Sequence, residues 1–354
     1  MRLLISGACG FVGSTLIRTW AERGASYTII GIDNLSRPGS EINRQALRRL
    51  GVKLFHADIR SASDFETIPA VDWVIDAAAN PSVLAGRDGG MSSRQLAEHN
   101  LLGTLNLLEY CRQQHAGFIL LSTSRVYSIA HLSAIRVERN GEAFVPAPDQ
   151  HIPGLTTRGV AEDFSTEPPL SLYGATKRAS GMLALEYGDA FEMPVWINRC
   201  GVMAGGGQFA RQDQGIFSFW IHSWAQRRPL SYIGFGGTGF QVRDCLHPRD
   251  LVPLLDQQMQ AGRTTADRVV NVSGGTASAV SLKACSDWCA NRFGPHSVAA
   301  VDSTRLYDIP WLVLDASRAG QAWNWTPATS RDDIFEEIAR HADAHPEWLQ
   351  LTTA

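Results

Sequence analysis

Short apolar runs alternate with segments of helical spacing through the first third of the chain. The runs are Arg2 to Ser6, Tyr27 to Ile32, Val52 to Phe55, Trp73 to Asp76 and Phe118 to Leu121. Between them stand Phe11 to Arg23, Glu41 to Leu50 and Ser92 to Gln114. Near-continuous apolar strands separated by helices are the pattern of a parallel sheet covered on both faces. Right-handed crossovers then predict a doubly wound α/β sheet, with its ligand site beyond the carboxyl ends of the strands.

The periodicity stops between Ser128 and Pro169, where five prolines and several polar clusters predict a loop-rich excursion. A helical pattern resumes over Leu172 to Ala190, followed by a strand over Val195 to Asn198. After Gly201 the glycines cluster at 205–207 and 234–239, and strands and helices no longer alternate strictly. Residues 1–200, with the excursion 128–169, are therefore expected to form a dinucleotide-binding domain. Residues 201–354 are expected to form a smaller α+β substrate-binding region, partly interleaved with the first. A cleft between the two is the default site.

Composition excludes several classes. A formal charge of −3 gives no electrostatic grip on nucleic acid or an anionic membrane. No stretch approaches the roughly 18 apolar residues of a membrane span, and the apolar run at the N-terminus is too short for a signal-peptide core. Cys285 and Cys289 stand four apart without a second pair or a histidine set, so no metal site is expected. The expectation is a reduced cytoplasmic protein.

Gly7-Ala8-Cys9-Gly10-Phe11-Val12-Gly13 follows the first strand and opens the first helix. Gly7 suits a tight turn, Gly10 lets the backbone approach a pyrophosphate, and Gly13 lets the helix pack close to the sheet. The helix start offers free N–H donors to the phosphate. Such a triplet alone marks no more than a turn, but Asp33 stands twenty residues after Gly13, at the end of the second strand. A carboxylate there accepts both adenosine-ribose hydroxyls and repels a 2′-phosphate, which favours NAD over NADP. Arg37 is the contrary feature, since an arginine there can pair with a phosphate. Asp58, followed by Ile59, is either placed to reach the adenine or an ordinary loop aspartate.

Tyr173 and Lys177 stand four apart near the start of a predicted helix and so share a face. A free phenol titrates near 10, and lowering it to about 7 takes roughly 4 kcal/mol. An ammonium about 5 Å away supplies roughly 3 kcal/mol at an effective dielectric near 20. The positive ring of an oxidised nicotinamide adds the remainder. Thr123, at the end of the fifth strand, can hydrogen-bond the substrate oxygen that Tyr173 deprotonates.

With these residues the chain resembles the extended short-chain dehydrogenase/reductase family, the NAD-dependent sugar-nucleotide epimerases and dehydratases on a Rossmann sheet. The segments 33–40, 122–128, 171–177, 205–209, 213–215, 239–244 and 308–311 are similar to its CDP-paratose 2-epimerase (CDP-tyvelose epimerase) branch. The resemblance implies that Phe11 and Val12 lie at the pyrophosphate turn, and Asn34, Ser36 and Arg37 around the adenosine. It places Ala77, Ala78 and Ala79 beside the cofactor, supported by Asn100. Thr123, Tyr173 and Lys177 would form the catalytic triad. Asn80 would lie near the sugar, and Gln208, Arg243 and Arg305 would face the nucleotide, the arginines on its diphosphate.

Some positions depart from the family. Asp76 stands where many relatives place histidine, and Cys200 and Gly201 replace bulkier residues. Ser124 and Arg125 occupy the positions of the Asp-Glu pair of the 4,6-dehydratases, without which elimination of water is difficult to stage. The implied reaction is C2 epimerisation of the CDP-paratose to CDP-tyvelose type through a transient keto sugar. The alternatives are a UDP-sugar 4-epimerase and a catalytically silent NAD-binding regulatory protein. In the family, helices such as 92–114 and 172–190 often pair across a homodimer.

Overall fold

A computed structural model describes residues 1–84, 92–264, 267–303 and 306–353. Its centre is a seven-stranded parallel sheet: β1 (Arg2–Ser6), β2 (Thr28–Asp33), β3 (Lys53–His56), β4 (Trp73–Asp76), β5 (Gly117–Thr123), β6 (Val195–Cys200) and β7 (Val269–Val272). The spatial order is β7-β6-β5-β4-β1-β2-β3, and every pairing is parallel. The order reverses between β1 and β4, which opens a crevice at the carboxyl ends of those two strands.

Both faces of the sheet are covered, as the apolar strands require. One face packs α1 (Phe11–Glu22) and the helix Val252–Ala261 through Leu16, Trp20, Leu254 and Leu255. The other packs the helical segment α3 (93–114) and α4 (Leu172–Ala190) through Leu107, Leu108 and Ala184. A further helix, α2 (Glu41–Arg49), lies between β2 and β3. The second part of the chain thus contributes β7 and a covering helix to the sheet of the first.

Three local features position the site. The strands β5 and β6 run two residues beyond their apolar patterns, which carries Thr123 and Cys200 to the sheet's edge. Ser171 caps α4 by accepting the Gly174 amide at 3.0 Å, which fixes the helix start just before Tyr173. The segment α3 opens on a capping box between Ser92 and Gln95 and is interrupted by a π turn over Glu98–Leu102, an irregularity the sequence does not announce. The excursion 128–169 holds a short helix, Ile129–Ser133, and two small hairpins, and it packs through Leu132, Val160 and Phe164 on residues 309–314. The remaining C-terminal elements gather around Phe217, Trp220 and Phe335.

Candidate active site

A cavity of about 500 Å³ follows the crevice from the glycine turn to the C-terminal region. Gly7, with φ +63°, turns the chain out of β1, and a Cβ there would stand 3.0 Å from the Ala78 Cα. A Cβ at Gly13 would stand 2.4 Å from the Gly7 carbonyl oxygen, so only glycine lets α1 begin so close to the turn. Gly7, Gly10, Phe11 and Val12 line the cavity, while Gly13 acts behind them as a packing position.

Asp33 lines the same end of the cavity. Its carboxylate accepts the amide of Cys9 at 2.9 Å and that of Leu35 at 2.8 Å. Burial pushes its carboxyl up, and the Leu35, Cys9 and Gly10 amides act against that shift. The acid therefore braces the glycine turn while facing the cavity. Asn34, Ser36, Arg37 and Ile59 line this end as well. Asp58 does not: Arg60 grips its carboxylate, Asn34 donates to it at 3.0 Å, and the Arg60 bonds hold its carboxyl well below the usual range. Arg37 is spent inside the protein, donating to Gln214 at 2.7 Å and to the Phe209 carbonyl at 2.5 Å.

At the crevice itself, Ala77, Ala78 and Ala79 line the cavity. The Ala77 and Ala78 amides donate to the Ser6 hydroxyl at 3.1 and 3.0 Å. Asn100, in the π turn, accepts the Asn80 amide at 2.8 Å and donates to the Asn80 carbonyl at 3.1 Å, so it holds this loop from behind. The Asn80 side chain accepts the Ser82 amide at 3.1 Å.

Thr123 and Tyr173 meet in the same cavity, where the threonine hydroxyl hydrogen-bonds the phenol. Burial pushes the Tyr173 phenol up to about 12, and the Thr123 hydroxyl and the Arg125 guanidinium act in the opposite direction. The sequence suggested Lys177 as the cation that acidifies this phenol. The Arg125 guanidinium is a further cation that draws this phenol down. Lys177 is itself fully buried, 2% exposed, and burial lowers its pKa. A close backbone contact sets this geometry: a Cβ on Gly174 would stand 2.2 Å from the Arg125 carbonyl oxygen.

The C-terminal region supplies the far wall. Gln208 and Arg243 line it, and Arg243 faces Asp308 at 3.7 Å. Gln208 donates to the Met203 carbonyl at 2.8 Å and accepts the Ser218 hydroxyl at 2.7 Å, so its amide is held by the protein. Arg305 lies outside the described residues. Gly201 has a packing reason that the sequence could not reveal: a Cβ there would stand 2.8 Å from both oxygens of the buried Asp244 carboxylate.

The residue types fit NAD, with amides and a glycine cradle at one end, a carboxylate for a ribose, and a phenol and hydroxyl at the other. No group of three or more His, Cys, Asp or Glu among the described residues is arranged to hold a metal ion. No helix among them is long and apolar enough to cross a membrane.

Comparison with known proteins agrees with this architecture. A profile of the NAD dependent epimerase/dehydratase family matches residues 3–273. The CDP-paratose 2-epimerase of Salmonella typhi is 30% identical over 358 residues, covering 96% of this chain and 98% of its own. Among solved structures, UDP-glucuronic acid 4-epimerase from Bacillus cereus, in complex with UDP-glucuronic acid and NAD, superposes with a TM-score of 0.75 at 24% identity. That likeness covers 97% of this chain and 99% of the other. The UDP-glucose 4-epimerase of Thermus thermophilus, complexed with NAD, gives 0.74 at 23% identity over 97% and 99%.

Proposed function

The chain belongs to the NAD dependent epimerase/dehydratase family and is an NAD-dependent enzyme, and we propose that within it the reaction is C2 epimerisation of a CDP-paratose-type nucleotide sugar. The observation that carries this reading is the single cavity joining the glycine turn and Asp33, the Thr123–Tyr173 pair and Arg243. NAD, held by the glycine turn and Asp33, would supply the hydride-accepting and hydride-donating chemistry at the reacting carbon. Tyr173 removes the proton of the reacting hydroxyl, and Thr123 steadies the oxygen as it becomes a carbonyl. Arg243 holds the diphosphate while the sugar turns, so binding energy far from the reacting carbon keeps the keto intermediate in place.

Two further points support epimerisation over dehydration and the choice of sugar. Ser124 and Arg125 line the cavity, and the resemblance puts the Asp-Glu pair of the 4,6-dehydratases at these two positions. The curated relative with 30% identity over 96% of the chain is a CDP-paratose 2-epimerase. Exposed Leu102, Leu172 and Met182 on α3 and α4 suit pairing with a second copy of the chain, which size-exclusion chromatography would read as a dimer.

The decisive experiment incubates purified enzyme with CDP-paratose, CDP-tyvelose and UDP-sugars and resolves the products. Interconversion of the two CDP-sugars is the expected result. Conversion of UDP-sugars alone overturns the substrate assignment in favour of 4-epimerisation. Cofactor binding with no turnover on any of them overturns the proposed reaction.

A further inference from the structure

The segment 239–244 places two polar side chains on the far wall of the cavity, Gln241 and Arg243. One acid brackets both of them. Asp308 stands 3.7 Å from the Arg243 guanidinium through one oxygen and accepts the Gln241 amide at 3.3 Å through the other. The Ile309 backbone N–H donates to the first of these oxygens at 3.0 Å and so steadies the carboxylate. Gln241 is therefore tied to the arginine that faces the diphosphate. From that diphosphate the sugar must extend toward Thr123 and Tyr173, which leaves the nucleoside to the C-terminal elements that carry Gln241.

The two ends of the Gln241 amide are not equivalent. Its nitrogen donates to the Ile233 carbonyl at 2.9 Å as well as to Asp308, and two acceptors at one end fix that end as the NH₂. The oxygen at the other end is enclosed and has no hydrogen-bond partner among the described residues. An enclosed acceptor without a donor costs stability, and in a native protein it calls for a reason. Because Gln241 lines the cavity, the cavity's occupant is the donor left to it. Val280, paired with Arg243 on the neighbouring strand, lines the cavity too, as do Leu282 and Leu306. Apolar side chains around a single acceptor suit the flat face and edge of a base better than the hydroxyls of a ribose.

We propose that Gln241 selects the base of the substrate: its side-chain oxygen accepts the exocyclic amine of a cytosine. The inference rests on the reading of the substrate as a CDP-sugar clamped by Arg243. At ring position 4 cytosine carries an amine, a donor, where uracil carries a carbonyl, an acceptor. The amine can serve the Gln241 oxygen, whereas uracil sets oxygen against oxygen. The ring N–H of uracil offers no escape, because a carbonyl flanks it on each side. A site built around such a bond rejects the analogue that lacks the donor, since its own acceptor then stays unpaired.

The test reads binding without turnover. The full chain loaded with NAD is titrated by calorimetry with CDP and with UDP, neither of which carries a sugar to react. The enzyme is expected to bind CDP at least about tenfold more tightly than UDP. Gln241→Met keeps the length of the side chain and removes the acceptor. It should weaken CDP about tenfold, with UDP affinity little changed, so that the preference disappears. Gln241→Leu takes its place should the methionine variant not fold. An equal loss for both nucleotides overturns the proposal, because a brace of the wall or a ribose contact would act on both alike. A CDP preference that survives the substitution overturns it as well, and leaves the CDP-sugar reading standing. An enzyme that itself prefers UDP overturns the two together.

Discussion

The Arg37 guanidinium donates to the side-chain carbonyl of Gln214 at 2.7 Å and so ties the loop after β2 to the segment 208–215 across the cofactor end of the cavity. A second tie runs beside it, from the Ser82 hydroxyl to Asp213 at 2.5 Å. The segment is held from behind by Trp348, whose ring stacks on Phe209 at 5.5 Å and whose indole N–H donates to the Gln208 carbonyl at 2.8 Å. Arg37→Ala removes the arginine tie and leaves the Ser82–Asp213 one. Bonds from a charged donor contribute about 1.5–3 kcal/mol, so NAD should leave the variant at least about tenfold faster. A displacement time course with excess labelled NAD checks this, and an unchanged release rate would show that the segment does not close on the cofactor.

Tyr173 is the second case. Burial pushes its phenol up to about 12, and reaching neutrality from there takes roughly 7 kcal/mol of preference for the phenolate. That value already includes the pull of Thr123 and Arg125, so a bound cationic nicotinamide would have to supply most of the difference. Tyr173→Phe should therefore lower kcat by about 10²–10⁴-fold while NAD remains bound. Without cofactor, phenolate absorbance of the enzyme and of the variant should coincide up to about pH 10. An extra phenol ionising below that in the enzyme would mean that the protein alone acidifies it.

What the sequence made legible was local. The glycine turn followed by Asp33, and the four-residue spacing of Tyr173 and Lys177, are consequences of a strand–turn–helix unit and a single helix face. The strands were read too short at Leu121 and Asn198 for a physical reason. Ser122, Thr123 and Cys200 line the cavity and Arg199 bonds Tyr127 and the Glu162 carbonyl, so the apolar pattern stops before the hydrogen-bonded ladder does. Contacts across long separations were invisible. Nothing near Arg37 announces Gln214, 177 residues away, and nothing near Asp76 announces Thr104. The capture of Asp58 by Arg60 was within reach, since the two stand two residues apart in one loop.

Gly174 joins the legible part of the site to the hidden part. It stands beside Tyr173, yet its role is set by the Arg125 carbonyl oxygen, which a Cβ would approach to 2.2 Å. Gly174→Ala must push α4 away from the end of β5, which separates the Tyr173 phenol from Thr123. Overpacking of this kind costs about 1–3 kcal/mol. Turnover should fall at least tenfold, by about 1.4 kcal/mol in barrier, with NAD affinity little changed. Steady-state kinetics beside a cofactor titration separates the two effects. A variant with full activity would show that the contact relaxes without moving the tyrosine.

The histidines of the C-terminal region give the last prediction. His222, on the helix Ile216–Ala225, meets His341, on the helix Arg331–Ala344, with ring nitrogens 3.4 Å apart, and His345 lies against His341 at 4.6 Å between ring centres. Burial, reinforced by the histidine neighbours, pushes His222 down to about 3 and His341 to about 4. Glu337 and Glu347 oppose this only at His341. Both folded values lie below the ordinary histidine value near 6.5, so the unfolded chain binds more protons than the folded one between about pH 6.5 and 3. Stability is therefore complete above that window and falls with pH through it, by about 2–4 kcal/mol, as the titrations are coupled. His222→Phe keeps a ring in the space and removes one of the titrating groups. Urea unfolding of both proteins at pH 7 and pH 4.5 should show a smaller acid loss in the variant. Buried carboxylates act equally in both, so an identical loss would assign the acid sensitivity to them and not to the histidines.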